Sequence, residues 1–151
     1  MLLTQILTVD RILARMEASD KYEAIRQLVQ AVCLSGTCSD EQKLLKAVLD
    51  REAIRTTGIG RGLAVPHGKS DCCDELVMSL ARPVSPIDFE SQDRQPVDVI
   101  VLLASPANKT GPHIQALARI SRLMLLSDFR KAIAQADSAE SIFEVIKRAE
   151  A

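Results

Sequence analysis

The segment VDVIVLLASP (residues 97–106) contains an almost unbroken run of Val, Ile and Leu that ends at a proline. A strand with one face in water alternates apolar and polar residues, whereas a strand covered on both faces is apolar at nearly every position. The run therefore predicts a central strand of a sheet, with other elements packed against both of its faces.

Two helices are predicted ahead of this strand because apolar residues recur there at helical spacing. Ser19 and Asp20 supply an N-cap for the first helix, which stops near Gly36. The second is predicted to start at Ser39 as part of a capping box and to run out around Ile54.

Three more helices are predicted after the strand. Gly111 is expected to cap the first of them, with Pro112 at its first helical position. The last two are predicted at about 127–136 and 138–149, where apolar residues again follow helical spacing.

The remaining segments supply further strands and loops. Residues 11–16 and ELVMSLARP (75–83) predict strands, and residues 84–95 are rich in turn-forming residues. TTGIGRGLAVPHGKSD (56–71) is interpreted as a glycine-rich loop, a brief strand and a turn. Because no linker or repeat interrupts this order, we expect one α/β domain over residues 1–151.

Composition narrows the classes of partner. Nineteen basic and twenty acidic residues give a net charge of −1, and aromatic residues make up 3% with no Trp. Neither a basic patch nor stacking side chains for a nucleic acid are evident. No apolar run reaches the roughly 18 residues of a membrane span, and no signal peptide is recognised. We expect a cytoplasmic protein that neither binds nucleic acid nor inserts into a membrane.

The four cysteines are Cys33, Cys38, Cys72 and Cys73. Their spacings match no CxxC arrangement of a zinc or redox site, and the chain has only two histidines. A zinc site would need an unusual set of ligands, so the cysteines are interpreted as buried or incidental thiols, with no metal expected.

GLAVPHGKS (62–70) ends like a nucleotide-binding P-loop. That loop needs a glycine at the position of Leu63, and Pro66 removes one N–H group from any phosphate cradle. Gly58, Gly60 and Gly62 do not form a dinucleotide fingerprint either, since they follow a predicted helix. A phosphate-binding loop of either kind is therefore disfavoured.

His67 suggests a different chemistry. An imidazole usually has one unprotonated nitrogen at cellular pH, and this nitrogen can attack phosphorus to form an N–P bond. Pro66 restricts the backbone before it, and Gly68 after it adds no side-chain bulk that would cover the ring. Lys69 adds a nearby positive charge, and the upstream glycines can turn N–H groups toward an anion.

TTGIGRGLAVPHGK (56–69) resembles the active-site segment of the fructose/mannitol-type enzyme IIA family of the bacterial phosphoenolpyruvate-dependent phosphotransferase system. Further segments of the family are similar to REAIRTTGIG, RQPVDVIVLLASP and PHIQALARISRL in this chain. The resemblance therefore covers about residues 5–150. It implies a three-layer α/β domain with a mixed sheet between helices. One departure is Pro112, where the family more often has a polar or acidic residue.

The resemblance also implies a site. His67 matches the histidine that is phosphorylated by the phosphocarrier HPr, and His113 matches a second histidine that orients it or holds its phosphoryl group. Arg51 matches the active-site arginine. The phosphoryl-binding loop is expected to comprise Thr57, Gly58, Gly60, Gly68 and Lys69.

His113 and Glu52 can also be interpreted from spacing alone. His113 shares an apolar helix face with Leu117 and Ile120, so its ring is expected to point inward. It lies in the first helical turn, where the helix dipole disfavours an imidazolium. Glu52 continues the face of Val48 and is interpreted as the partner of a basic residue rather than as a catalytic group.

Three functions remain open on the sequence. The favoured one is a phosphocarrier of the nitrogen-regulatory type, in which phosphorylation decides which target protein is bound. The alternative is a sugar-transport subunit that passes the phosphoryl group to an enzyme IIB. The third, from another class, is a protein- or nucleotide-binding module that is never phosphorylated. No cofactor is expected, because the phosphoryl donor is itself a phosphohistidine.

Overall fold

The apolar run at 97–106 forms the central strand of a six-stranded sheet. The computed structural model describes residues 1–151. The strands are β1 (Ile12–Met16), β2 (Gly58–Gly60), β3 (Leu63–Ala64), β4 (His67–Lys69), β5 (Val77–Pro83) and β6 (Val99–Ser105). The helices are α1 (Lys21–Leu34), α2 (Glu41–Ile54), α3 (Thr110–Leu123), α4 (Ser127–Gln135) and α5 (Ala139–Ala149). None of these helices is both long and apolar enough to cross a lipid bilayer.

The sheet is mixed, with the order β1-β5-β6-β3-β2 and with β4 also paired to β6. Strand β5 is antiparallel to β6, whereas β3 and β4 are parallel to it. Strand β1 is parallel to β5 at the opposite side of the sheet from β2. Every residue of β6 is buried, which confirms that this strand is covered on both faces.

Helices cover both faces of the sheet, and two apolar clusters fill the spaces between the layers. Helices α1 and α2 contribute residues such as Leu28 and Val48 to one cluster of 20 buried residues. Helices α3, α4 and α5 contribute residues such as Ile120 and Ile142 to the other, of 18. The expected three-layer α/β architecture is therefore confirmed.

Two helix starts differ from the prediction. Asp40 rather than Ser39 caps α2, since its side chain accepts a hydrogen bond from the N–H of Lys43 at 3.1 Å. The N–H of Ser39 instead donates to the carbonyl of Cys72 at 3.0 Å. The N-cap of α3 is Lys109, so Pro112 is the third helical residue and not the first. A proline is tolerated there because the first N–H groups of a helix have no intrahelical acceptor.

The glycine-rich segment is more regular than predicted. Strands β2 and β3 form an antiparallel hairpin, and its turn at Arg61 and Gly62 has φ values of 58° and 78°. His67 begins strand β4, where a turn was predicted. No helix follows Gly68, Lys69 and Ser70, so the P-loop architecture is absent. The prediction missed β4 because a three-residue strand is defined by its pairing with β6 rather than by a local pattern.

Candidate active site

Strand β4 places His67 beside the carboxyl end of the central strand. Strands β3 and β4 lie along the same side of β6, where β3 pairs with Val99 and Ile100 and β4 begins with His67 opposite Leu103. Between them, the carbonyl of Pro66 accepts a hydrogen bond from the N–H of Leu103 at 3.1 Å. Pro66 therefore separates the two short strands, while its carbonyl keeps the hydrogen bonding to β6 continuous.

The half-buried ring of His67 has a defined tautomer. Its Nδ1 lies 2.9 Å from the carbonyl oxygen of Val65. Because a carbonyl can only accept, Nδ1 carries the proton in this contact, and the lone pair of the neutral ring is on Nε2. Burial is the main cause that lowers the pKa of His67, and the hydrogen bond to Val65 opposes it. The lowered pKa favours the neutral ring, whose free nitrogen is then Nε2.

His113 lies beside His67, although 46 residues separate them in sequence. The ring centroids are 5.2 Å apart, with an angle of 67° between the ring planes. His113 is only 4% exposed, and its Nδ1 is 2.9 Å from the hydroxyl of Ser105 on β6. Its buried Nε2 has no hydrogen-bond partner. Burial and the neighbouring His67 and Lys69 lower the pKa of His113 to about 4.

This arrangement places a half-buried imidazole at the start of β4, next to a buried imidazole whose Nε2 has no hydrogen-bond partner. Residues 5–149 match the family described as "Phosphoenolpyruvate-dependent sugar phosphotransferase system, EIIA 2". The chain belongs to this family. Proteins of the enzyme IIA family carry out phosphotransfer.

Two relatives illustrate the range of this enzyme IIA family. A nitrogen regulatory protein of Bradyrhizobium diazoefficiens is 35% identical over 145 residues, which are 95% of this chain and 94% of that protein. The fructose-specific EIIABC component of Bacillus subtilis is 30% identical over 98% of this chain. The chain spans only 23% of that longer protein.

Solved structures show the same enzyme IIA fold. Nitrogen regulatory protein IIA-Ntr from Neisseria meningitidis superposes with a TM-score of 0.89 at 24% identity, over 95% of this chain and 98% of that chain. The mannitol IIA of Escherichia coli, solved in complex with phosphorylated enzyme IIB, gives a TM-score of 0.81 at 21% identity, over 94% and 97% of the chains.

A buried acidic residue organises the loop ahead of His67 in this enzyme IIA. Glu52 accepts hydrogen bonds from the N–H of Thr57 at 3.0 Å and from its hydroxyl at 2.5 Å. The ammonium of Lys21 lies 3.5 Å from the same carboxylate, which confirms that Glu52 pairs with a base. The carbonyl of Thr57 in turn accepts the N–H of Val65, whose own carbonyl contacts His67.

Glu52 and Ser105 contact the candidate site residues Thr57 and His113, although neither was predicted as a site residue from the sequence. Glu52 is five residues from Thr57, but nothing in that spacing distinguishes it from an ordinary helical carboxylate. Ser105 is the last residue of β6, and its neighbour across the strands, Lys69, is two residues after His67. A polar residue that ends an otherwise apolar buried strand is the one signal that points to Ser105.

The two basic residues predicted for the site differ in their contacts. Arg51 is on α2, where its guanidinium donates to the carbonyl of Arg55 at 2.9 Å, and its charge contributes to the lowered pKa of His67. Lys69 donates to the hydroxyl of Thr110 at the start of α3, at 3.0 Å. Its charge contributes to the lowered pKa of both histidines. Both cations thus lie within electrostatic range of His67.

The predicted loop residues have other immediate partners. Both donors of Thr57 are taken by Glu52, and the N–H of Gly58 donates to the hydroxyl of Thr56 at 3.1 Å. Gly60 borders the hairpin turn beside Asp93. A Cβ on Gly68 would lie 3.0 Å from the backbone nitrogen of Val48, so this glycine lets α2 approach β4. The small size of Gly68 therefore serves packing on the α2 side.

The lowered pKa of His113 predicts a pH dependence of stability. The ordinary value of 6.5 applies to the unfolded chain, so between pH 6.5 and about 4 the unfolded state binds a proton that the native state excludes. The free energy of unfolding is therefore expected to fall as the pH decreases through this window, by about 3 kcal/mol for a group shifted this far. Denaturant titrations at several pH values measure it.

The control for this prediction is His113→Asn, which removes the titrating group. Carboxylates and His67 titrate in both proteins, so the difference between the two pH profiles isolates His113. Parallel profiles over the whole window would show that His113 does not titrate with a lowered pKa.

Proposed function

We propose that this enzyme IIA is a phosphocarrier that accepts a phosphoryl group from phosphorylated HPr on Nε2 of His67. The observation that carries the proposal is the contact between Nδ1 of His67 and the carbonyl of Val65, which leaves the lone pair on Nε2. A nucleophile with a defined tautomer needs no base to remove a proton before it attacks.

In the transfer step, Nε2 of His67 forms a bond to phosphorus as the N–P bond of the donor phosphohistidine breaks. The electron pair of the broken bond returns to the donor imidazole. The acceptor ring then bears the phosphoryl group on Nε2 and a proton on Nδ1, so it gains positive character. The carbonyl of Val65 stabilises that charge, in the same way as it opposes the lowering of the pKa of His67.

The phosphoryl oxygens need donors and positive charge as the transfer proceeds. The unpartnered Nε2 of His113 is one such group in the immediate surroundings. When the hydroxyl of Ser105 donates to Nδ1, the one proton of the neutral His113 ring is on Nε2 and available to an anion. Lys69 and Arg51 are proposed to supply positive charge, with Thr57, Gly58, Gly60 and Gly68 shaping the surrounding backbone.

Replacement of His113 is expected to slow phosphorylation without abolishing it. Loss of one preorganised donor to a developing anion typically costs about a hundredfold in rate. We therefore expect His113→Ala to accept the phosphoryl group about a hundredfold more slowly, measured by quenched time courses of phosphorylated protein. Ser105→Ala is expected to give a smaller decrease, because it only frees the ring to reorient. Equal rates of phosphorylation in His113→Ala and the parent protein would show that His113 does not assist the transfer.

We assign this phosphocarrier to regulation, with sugar transport as the second candidate. The nitrogen regulatory protein of Bradyrhizobium diazoefficiens matches over 94% of its length, which supports the regulatory role. The fructose-specific EIIA component of Haloferax volcanii is 31% identical over 82% of its length, so the transport alternative also has support. In that role the phosphoryl group passes on to an enzyme IIB.

The proposal is tested by the intact mass of the protein after incubation with phosphoenolpyruvate, enzyme I and HPr from the same cell. We expect an acid-labile gain of one phosphoryl group that requires HPr. A folded protein that gains nothing would indicate the binding module that is never phosphorylated. Addition of an enzyme IIB from the same cell then distinguishes the two roles, because a transport subunit loses its phosphoryl group to IIB whereas a regulatory one retains it.

A further inference from the structure

Three thiols from two distant segments meet in the core on the α1/α2 side of the sheet. Cys38 lies between α1 and α2, and Cys72 and Cys73 follow β4. Their sulfur atoms are all within 4.8 Å of one another, and the exposed fractions of the residues are 5%, 8% and 2%. None of them forms a disulfide. We propose that Cys38, Cys72 and Cys73 bind one Cu(I) ion.

The backbone holds the two segments in a fixed register. Cys38 and Cys73 form an antiparallel bridge, flanked by hydrogen bonds from Ser39 N–H to the Cys72 carbonyl at 3.0 Å and from Asp74 N–H to the Thr37 carbonyl at 3.4 Å. This pattern makes Cys38 and Cys73 a non-hydrogen-bonded pair, the type in which facing side chains are closest. The hydroxyl of Ser70 adds a hydrogen bond to the sulfur of Cys72 at 3.0 Å.

The separations suit a three-coordinate ion. A metal about 2.3 Å from each of three thiolate sulfurs in a plane needs sulfur–sulfur distances of about 4 Å. The three sulfurs satisfy this with little movement, since none is farther than 4.8 Å from another. The site is therefore preformed in the folded chain.

The number and type of ligand atoms favour Cu(I) over zinc. Zinc in structural sites takes four ligands, and no histidine, carboxylate or fourth cysteine joins this group. Soft thiolate ligands favour Cu(I), which does not require a fourth ligand. Cys33 is only partly buried, and its sulfur is not part of the group that lies within 4.8 Å.

A disulfide is the competing use of these sulfurs. Thiolates, not thiols, attack a disulfide or peroxide, and burial makes thiols inert to that attack. All three cysteines are at most 8% exposed, so their sulfurs are shielded from an oxidant in solution. As each Cu–S bond forms, the thiol proton leaves to solvent, and neither copper nor sulfur changes oxidation state.

The test is an anaerobic titration of the reduced full-length chain with Cu(I) in the presence of a chromogenic Cu(I) chelator. We expect one ion per chain, with X-ray absorption that reports three sulfur ligands. Cys72→Ser is expected to weaken binding at least tenfold, and Cys33→Ser, the matched control outside the cluster, to bind as the parent does. Circular dichroism establishes that each variant is folded. The X-ray absorption measurement is made on the parent protein, so it tests the three sulfur ligands even if a variant fails to fold.

Several outcomes of the binding experiments would overturn the proposal. They are failure of the folded parent chain to retain Cu(I), equal binding by Cys72→Ser, loss of binding in Cys33→Ser, and tighter retention of Zn²⁺ than of Cu(I) in a parallel competition. A Cys38–Cys73 disulfide that forms under mild oxidant in place of the metal complex would also contradict it. None of these outcomes depends on phosphorylation of His67, so the two proposals fail independently.

Discussion

His67→Ala is expected to abolish phosphoryl uptake, so that its intact mass does not change after incubation with phosphoenolpyruvate, enzyme I and HPr. The variant removes Nε2 of His67, which has a free lone pair on a half-buried ring. The other histidine, His113, is only 4% exposed. A buried imidazole cannot reach the phosphohistidine of another protein in line. The loss is therefore expected to be complete rather than partial.

Two controls make this result specific. The fold of the variant is checked by far-UV circular dichroism and by a denaturant midpoint, since removal of a half-buried ring is expected to change stability only modestly. His113→Ala must still become phosphorylated, although slowly. Phosphorylation of His67→Ala at the rate of the parent protein would place the acceptor on another residue and would contradict the proposed function.

Glu52→Ala is expected to produce the largest loss of stability among single substitutions around the site. The Glu52 side chain is 2% exposed, and it accepts both donors of Thr57 and pairs with Lys21, whose side chain is 9% exposed. Removal of one partner of a buried ion pair strands the other charge and typically costs about 3–5 kcal/mol. The expected decrease lies at the lower end, because Glu90 also lies 3.4 Å from Lys21. Urea unfolding monitored by circular dichroism measures it.

Glu90→Ala is the matched control for this prediction. Glu90 pairs with the same ammonium group, but its side chain is 73% exposed, and exposed pairs contribute at most about 1 kcal/mol. A double variant, Lys21→Met with Glu52→Ala, is expected to recover part of the loss because no charge is then stranded. If Glu52→Ala destabilised the protein no more than Glu90→Ala, the buried pair would not support the loop.

Glu52 also connects the buried ion pair to His67, the proposed phosphoryl acceptor. Its hydrogen bonds fix Thr57, the carbonyl of Thr57 fixes Val65, and the carbonyl of Val65 sets the tautomer of His67. Glu52→Gln keeps the shape of the side chain while it removes the charge. In this variant, a lower rate of phosphorylation with an unchanged fold would therefore be distinguished from a loss of activity caused by unfolding.

The parts of the fold that sequence determined are those with a local physical cause. The near-continuous apolar run of β6 required burial on both faces, and the apolar spacing of the helices required one face against the sheet. Asp20 was correctly predicted as a cap because its side chain reaches an N–H only three residues away. His67 was singled out by the order of motifs around it, and the family resemblance is confirmed by the match over residues 5–149.

Other features depended on which segments became neighbours. Strand β4 exists because His67, Gly68 and Lys69 pair with β6, a partner more than 30 residues away that no local pattern identifies. His113 contacts Ser105 across the short connection from β6 to α3, and the pairing of β4 with β6 brings His67 beside His113. The contact of Cys38 with Cys72 and Cys73 likewise joins remote segments. Sequence alone determined which residue types and periodicities had to be buried. The tertiary structure decided which polar groups share each buried site, because hydrogen bonding and pKa depend on neighbours in space rather than along the chain.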